Sequence, residues 1–229
     1  SLEHLVLDNV SGIDDFFNSA NLPSCDRLTI TNSSIFTINF PSFISFEEVI
    51  IEYMPSLQNI YFTSNVKSIS LENLPSLIYL DVSSLLNLDS LFLHSIPNLS
   101  QVYLSNNSNL KYLEIIDLPL NFIYLSGADS LSQITIKNTN LTSLDLSTNN
   151  QLRTLNCDNN VSLSIINLDG ADSLYAIDLS NNASIASLDL SANNQLHTLN
   201  CDNNVSLSII NLDGADSLYA IDLSNNASI

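Results

Sequence analysis

The feature that most limits what this chain can become is an internal repeat. Residues 143–185 and 187–229 are 43-residue stretches, offset by 44 residues, that differ only where Thr148 becomes Ala192 and Arg153 becomes His197. Beneath that offset lies a finer pattern, L-x-x-L-x-L, recurring about every 11 residues. It reads Leu141/Leu144/Leu146, Leu152/Leu155/Cys157, Leu163/Ile166/Leu168 and Leu174/Ile177/Leu179. Upstream it continues through Leu88/Leu91/Leu93, Leu99/Val102/Leu104, Leu110/Leu113/Ile115 and Leu120/Ile123/Leu125, with weaker copies at Cys25/Leu28/Ile30, Ile35/Ile38/Phe40 and Phe46/Val49/Ile51. The fourth and sixth positions alternate with polar ones, the period of a half-buried strand. The residues that follow, such as Asp-Asn-Asn-Val-Ser and Asp-Gly-Ala-Asp-Ser, are turn formers. So short a strand-plus-turn cannot bury its own apolar side, but copies stacked on one another can, and the result is a solenoid.

These residues resemble leucine-rich repeats, whose signature is L-x-x-L-x-L-x-x-N. More narrowly, Leu-Thr-Ser-Leu-Asp-Leu-Ser-Thr-Asn-Asn (141–150) followed by Leu-Arg-Thr-Leu-Asn-Cys-Asp-Asn-Asn (152–160) looks like the nested bacterial subclass sometimes called IRREKO, and the chain is similar to internalin-like surface proteins. The resemblance implies a mainly β solenoid whose 21- or 22-residue coils carry a short parallel strand on each side. The first coil departs from that layout, because residues 12–20 (GIDDFFNSA) read as a short helix. This fixes the sides. Side one takes the units starting at Leu2, Cys25, Phe46, Val66, Leu88, Leu110, Leu131, Leu152, Leu174, Leu196 and Leu218. Side two takes those starting at Ile35, Leu57, Leu77, Leu99, Leu120, Leu141, Leu163, Ile185 and Leu207, with Pro55, Pro75, Pro97 and Pro119 in the turns that enter it. The expectation is a single solenoid over 1–229 of about ten coils, roughly 50 Å long at strand spacing, divergent over 1–140 and nearly uniform over 141–229.

The chain has 24 Asp+Glu against 5 Lys+Arg, a net charge of −19. That balance repels a nucleic-acid backbone or an anionic membrane surface. No apolar run reaches the roughly 18 residues of a membrane-spanning helix, and periodic leucine and isoleucine exclude disorder. The pattern is still running at Ile229, so the chain reads as an excerpt of a longer protein. Acidity grows along it: beyond Arg153 there is no Lys or Arg, but nine Asp remain. This reads as a by-product of the repeat multiplied by copy number, rather than a patch aimed at a basic partner. Of the three cysteines, Cys157 and Cys201 sit where sister units carry Leu, which makes them small core residues. They are two coils apart on one side, so about 9.5 Å separates them, beyond disulfide reach.

With the fourth and sixth positions inside, the third, fifth and seventh face solvent. The fifth position on side two reads Asp145, Asn167, Asp189, Asn211, and on side one Asn156, Asp178, Asn200, Asp222. An amide therefore always separates carboxylates of neighbouring coils, which avoids like charges side by side and offers a reason for the 44-residue period. Calcium is the functional reading of these acids, with Asp169, Asp172, Asp213 and Asp216 as candidate ligands; their spacing matches no standard calcium loop, and turn capping is the alternative.

Aromatics gather on side two: Tyr61, Tyr103 and Tyr124 at the fifth position, Tyr79 and Phe122 at the third. They come from four successive coils and stop downstream. Side one carries a smaller group, Phe92, Tyr112 and His94. Tyrosine supplies rigid amphipathic contact area, so the five residues on side two are the candidate binding surface for protein or glycan; cross-strand packing is the other use of such residues. No catalytic motif or phosphate-cradling loop is present, and His4, His94 and His197 fall in separate coils. Sequons such as Asn32, Asn140 and Asn160 arise in Asn/Ser-rich turns. The expectation is a non-enzymatic recognition or adhesion module, extracellular or on a cell surface, with no cofactor unless calcium. A spacer that presents another domain is the alternative for the uniform repeats.

Overall fold

The computed structural model describes residues 2–11, 25–40, 42, 44–62, 65–226 and 229. Stacking of the units builds one eleven-stranded parallel sheet: Leu2–Asp8, Cys25–Thr31, Phe46–Glu52, Val66–Glu72, Ser90–His94, Tyr112–Ile116, Gln133–Lys137, Thr154–Asn156, Ala176–Asp178, Thr198–Asn200 and Ala220–Asp222. These are the units assigned to side one, in the same order. Register follows the fourth position, so that Ile69, Leu91, Leu113, Ile134, Leu155, Ile177 and Leu199 lie opposite one another from strand to strand. Their side chains enter a single core, in which Leu91, Leu93, Leu155, Cys157, Leu174 and Leu179 are fully buried. Burying each such side chain contributes about 1.5–3 kcal/mol.

Side-one strands shorten along the chain, from seven residues at Phe46–Glu52 to five at Tyr112–Ile116 and three at Thr154–Asn156. The cause of the last step, from five residues to three, lies at the fifth position. Asn156, Asp178, Asn200 and Asp222 turn a side-chain oxygen back to accept the N–H two residues on, at 2.9–3.2 Å. This Asx turn draws the seventh residue out of the ladder and ends the strand. At the eighth position the backbone turns left-handed once per coil, at φ of 50–61° in Asn9, Asn32, Tyr53, Asn73, Ser95, Asp117, Asn138, Asn159, Asn181, Asn203 and Asn225. Asparagine dominates this column because its short side chain tolerates that region.

In the last four coils of this side the ninth position is an asparagine, buried at Asn160, Asn182 and Asn204. The Asn182 Nδ2 donates to the carbonyls of Cys157, Leu179 and Ser180 at 2.9, 2.7 and 3.2 Å, and its Oδ1 accepts the Asn160 N–H at 2.9 Å. Asn160, Asn204 and Asn226 repeat the arrangement, and Thr139 heads the row, donating its N–H and hydroxyl to Asn160 Oδ1. This ladder joins the turns of successive coils, where the sheet does not reach. The amide nitrogens of Asn160 and Asn204 are thereby committed, so these sequons are closed to glycan transfer once the chain is folded.

Side two is not the continuous sheet expected. Among the described residues it consists of four separate pairs: Thr37–Phe40 with Asn59–Phe62, Tyr79–Asp81 with Gln101–Tyr103, Ser143–Asp145 with Ile165–Asn167, and Ser187–Asp189 with Ile209–Asn211. Residues 120–125 pass along this side without forming a strand. The last two pairs coincide with the 44-residue repeat, and two kinds of junction alternate along them. Within a pair, the strands share a ladder, and Asn167 donates to Asp145, as Asn211 does to Asp189, at 3.1 Å. Between pairs, Asn193 Nδ2 reaches back to the Leu168 and Ala171 carbonyls at 3.4 and 3.1 Å, and Asn149 likewise to those of Leu125 and Ala128. The ninth position accordingly alternates, Asn149, Ala171, Asn193, Ala215. The two junctions are not mutually exclusive, since Asn107 Nδ2 reaches the Val82 and Leu85 carbonyls across a step where Tyr79–Asp81 also pairs with Gln101–Tyr103; their alternation belongs to the duplicated segment, where it accompanies the carboxylate stagger.

The stagger has a direct test. Asn167→Asp removes the donor to Asp145 and sets a second carboxylate beside it, while keeping an acceptor for the Asp169 N–H. The expected loss is about 1 kcal/mol at low ionic strength and less at high salt. Urea melts that show equal losses at both would remove charge from the explanation.

Three expectations are adjusted by the structure. The first-coil helix over 12–20 lies outside the described residues, and among the described residues there is no helix. Ten coils become about nine turns, because a complete turn needs a pass along both sides. The second side carries paired strands rather than one sheet, and the gaps before Ser143–Asp145 and Ser187–Asp189 are spanned by the Asn149 and Asn193 side chains instead of a ladder. Cys157 and Cys201 are free and buried, as the register requires, with the strand Ala176–Asp178 between theirs. Burial first, then nearby carboxylates, raises both thiols, Cys201 to about 12, so neither is an activated nucleophile.

Candidate recognition face

The paired strands of side two hold its aromatics in place. Tyr61 ends the outward row of Asn59–Phe62, Tyr79 opens Tyr79–Asp81 and Tyr103 closes Gln101–Tyr103. Register sets Tyr79 opposite Gln101 and Asp81 opposite Tyr103, so the two tyrosines are diagonal neighbours. Their ring centroids are 5.4 Å apart at 47°. Phe122 and Tyr124 meet likewise at 5.5 Å and 48° on the strandless pass. All five candidate side chains are exposed, from 39% at Tyr103 to 69% at Tyr124. The Tyr79 hydroxyl donates to Asp81 Oδ2 at 3.1 Å, and that of Tyr103 to Gln101 Oε1 at 3.3 Å. Partial desolvation, then the hydrogen bond and charge of Asp81, push the Tyr79 phenol up. The rings of Tyr79, Tyr103, Phe122 and Tyr124 are therefore anchored before anything binds, which lowers the entropy lost on contact.

Other exposed apolar residues extend this surface: Phe36 and Ile78 at the second position and Leu86 in a turn. Treating only the third, fifth and seventh positions as outward misses them. The second position also points out, and its alternation with the first-position leucine is the signal that finds it. The same position carries a column on side one: Tyr175 stacks on His197 at 4.2 Å and 22°, and His197 meets Tyr219 edge-on at 5.8 Å. The smaller side-one group is only partly assembled as a surface: Tyr112 is exposed, Phe92 half-buried, and His94 Nε2 bonds Glu114 Oε1 at 2.7 Å.

Charge is sorted by side. All five Lys and Arg (Arg27, Lys67, Lys111, Lys137 and Arg153) lie on or just before side-one strands. Four are paired there: Arg27 with Glu48, Lys67 with Glu47, Lys111 with Asp89, and Lys137 with Asp158. Side two and the turn leaving it carry Asp81, Asp129, Asp145, Asp169, Asp172, Asp189, Asp213 and Asp216 and no cation. Hydrogen bonds from Ser147 and Asn167 hold the Asp145 carboxyl below the usual range, and those from Ser191 and Asn211 do so at Asp189, in both cases against some desolvation. Asp169 and Asp213 are exposed, and their backbone N–H groups donate to Asn167 and Asn211. Among the described residues no group of three His, Cys, Asp or Glu side chains is placed to hold a metal.

This arrangement of stacked strand-and-turn units defines a leucine-rich-repeat solenoid, and solved structures share it. Aligned over 98% of this chain at 18% identity and a TM-score of 0.52 is the functional domain of InlJ from Listeria monocytogenes, which includes a cysteine ladder. TLR13, solved in complex with ssRNA13, aligns over 97% at 17% identity with a TM-score of 0.58. The leucine-rich repeat domain of the type III effector XopL aligns over 97% at 16% identity with a TM-score of 0.57. The chain spans 58%, 43% and 76% of those three chains. No protein-family model and no curated protein sequence matches it.

Proposed function

We propose that this chain is a non-enzymatic recognition module of the nested bacterial leucine-rich-repeat type, secreted or held at a cell surface, and that it binds protein or glycan through side two between Tyr61 and Tyr124. The observation that carries the reading is the row of exposed aromatic side chains on successive coils of a face without Lys or Arg, with Tyr79 set against Tyr103 and Phe122 against Tyr124. An exposed apolar patch of this kind is the usual mark of an interaction site. A spacer role suits the downstream repeats, whose outward residues are almost unchanged from one copy to the next.

Tyr103→Ser combined with Tyr124→Ser tests the reading. Against a panel of immobilised glycans and surface proteins, the double variant is expected to weaken whatever the parent chain retains by about tenfold or more. Its urea midpoint should hardly move, because both side chains are exposed. Retention equal to that of the parent would remove this face as the contact surface.

A further inference from the structure

We infer that side two is a bipartite docking face whose partner is a protein carrying apolar side chains beside a basic surface. The inference rests on the recognition reading above and adds the partner's chemistry.

Two adjoining sectors make up the face. Coils from 35 to 125 present the aromatics with one carboxylate, Asp81. Coils from 141 onward present Asp145, Asp169, Asp189 and Asp213, all exposed, with Ile165 and Ile209 as the exposed apolar side chains of their strands and no aromatic. Every hydrogen bond to Asp145 and Asp189 comes from a neutral donor: Ser147 N–H and Asn167 Nδ2 in one coil pair, Ser191 N–H and Asn211 Nδ2 in the next. Such donors fix and ionise a carboxylate without cancelling its charge. Both sides are acidic, but all the Lys and Arg lie among the carboxylates of side one, so side two is the face whose carboxylates have no cation beside them. Asp169 lies in the coil between those of Asp145 and Asp189, so the carboxylates form a strip along the face, each acting on a partner within the screening length of about 8 Å in physiological salt.

The strip excludes nucleic acid and anionic membrane, which it repels. A neutral glycan is served by the rings but gains nothing from the carboxylates. A polypeptide surface alone can present apolar groups for the first sector and Lys or Arg for the second. Charge complementarity then sets the association rate, and the buried aromatic contacts set the dissociation rate.

The division is tested with three synthetic probes: poly-lysine, a lysine–tyrosine copolymer and a glutamate–tyrosine copolymer, each passed over the immobilised full chain at about 50 mM and about 300 mM salt. The lysine–tyrosine copolymer should bind best. Asp145→Asn with Asp189→Asn should slow its association by about fivefold at the lower salt and far less at the higher. Both changes leave the fold intact, since asparagine already fills the same position, with the same turn bond, at Asn167 and Asn211. Tyr103→Ser with Tyr124→Ser should instead speed dissociation by about tenfold and leave the salt dependence alone. Asp178→Asn with Asp222→Asn removes the same charge from side one and should change neither rate. If it slows association as much as the side-two pair does, net charge rather than a face is responsible and the bipartite inference fails, while a tyrosine effect would leave the recognition reading standing. If the tyrosine pair changes nothing, the recognition reading itself fails.

Discussion

Asn182→Ala is expected to lower the unfolding free energy by about 3 kcal/mol, a large effect for one uncharged residue. The Asn182 side chain makes three donor contacts and accepts a fourth, all in a fully buried turn. Two of the carbonyls keep another donor, since Asn160 also reaches Cys157 and Asn204 also reaches Leu179. The group left without a partner is the Asn160 N–H, and a buried orphan donor costs about 1–3 kcal/mol, to which the lost bonds and the small void add. Asn182→Asp should be worse near neutrality. It keeps the acceptor for Asn160 but turns a carboxylate toward the Cys157 and Leu179 carbonyl oxygens, which raises its pKa in the folded state. A raised acid is penalised only above its unfolded pKa, so the deficit should shrink as the pH falls toward about 4. Asn193→Ala supplies the comparison. Its amide donates two bonds, but its Oδ1 takes no partner from the described residues, so its loss should be smaller. Urea unfolding with amide exchange will rank the three. Equal losses for Asn182→Ala and Asn193→Ala would mean that the ladder's acceptor bond contributes nothing.

How far the sequence reaches is clear from these two asparagines. Both stand at the ninth position of L-x-x-L-x-L-x-x-N, and the pattern alone treats them as equals. The strand positions were legible because leucine spacing has one physical cause, burial, that acts identically in every coil; side-one order and the free cysteines follow from it. Whether side two closes into a ladder depends on how neighbouring turns fit, a property of pairs of coils rather than of one. Ala171 beside Asn193 was visible in the sequence, but its meaning needs the carbonyls that Asn193 reaches. The aromatic face was likewise legible as a row of outward positions, whereas the diagonal pairing of Tyr79 with Tyr103 needs the register. The charge count concealed most. Read along the chain, acidity looks like a residue of duplication; read around the coil, every Lys and Arg falls on one side.

Gly170→Ala is the second substitution with a large expected effect, and it tests the paired architecture directly. A Cβ at Gly170 would lie 2.0 Å from the Ser147 carbonyl oxygen and 3.2 Å from the Ser147 Cα. Both are backbone atoms, so no side chain can yield, and the two coils of the pair must separate. Separation stretches the ladder between Ser143–Asp145 and Ile165–Asn167 and the bond from Asn167 to Asp145. Overpacking of this kind costs about 1–3 kcal/mol, and more where only backbone can move. The repeat carries its own control. Gly214 meets Ser191 with a Cβ distance of 2.3 Å and also has a φ of 147° that disfavours any side chain, but it lies in the last coil on this side, where fewer neighbours depend on the junction. In a solenoid each coil's stability is shared with its immediate neighbours. Gly214→Ala should therefore loosen the end of the stack, whereas Gly170→Ala splits it internally and lowers amide-exchange protection on both flanks. Protection lost only C-terminal to the altered glycine in both variants would show that the pairs transmit nothing upstream. A spread in both directions from residue 170 is the outcome expected of coils joined by alternating ladders and asparagine clamps.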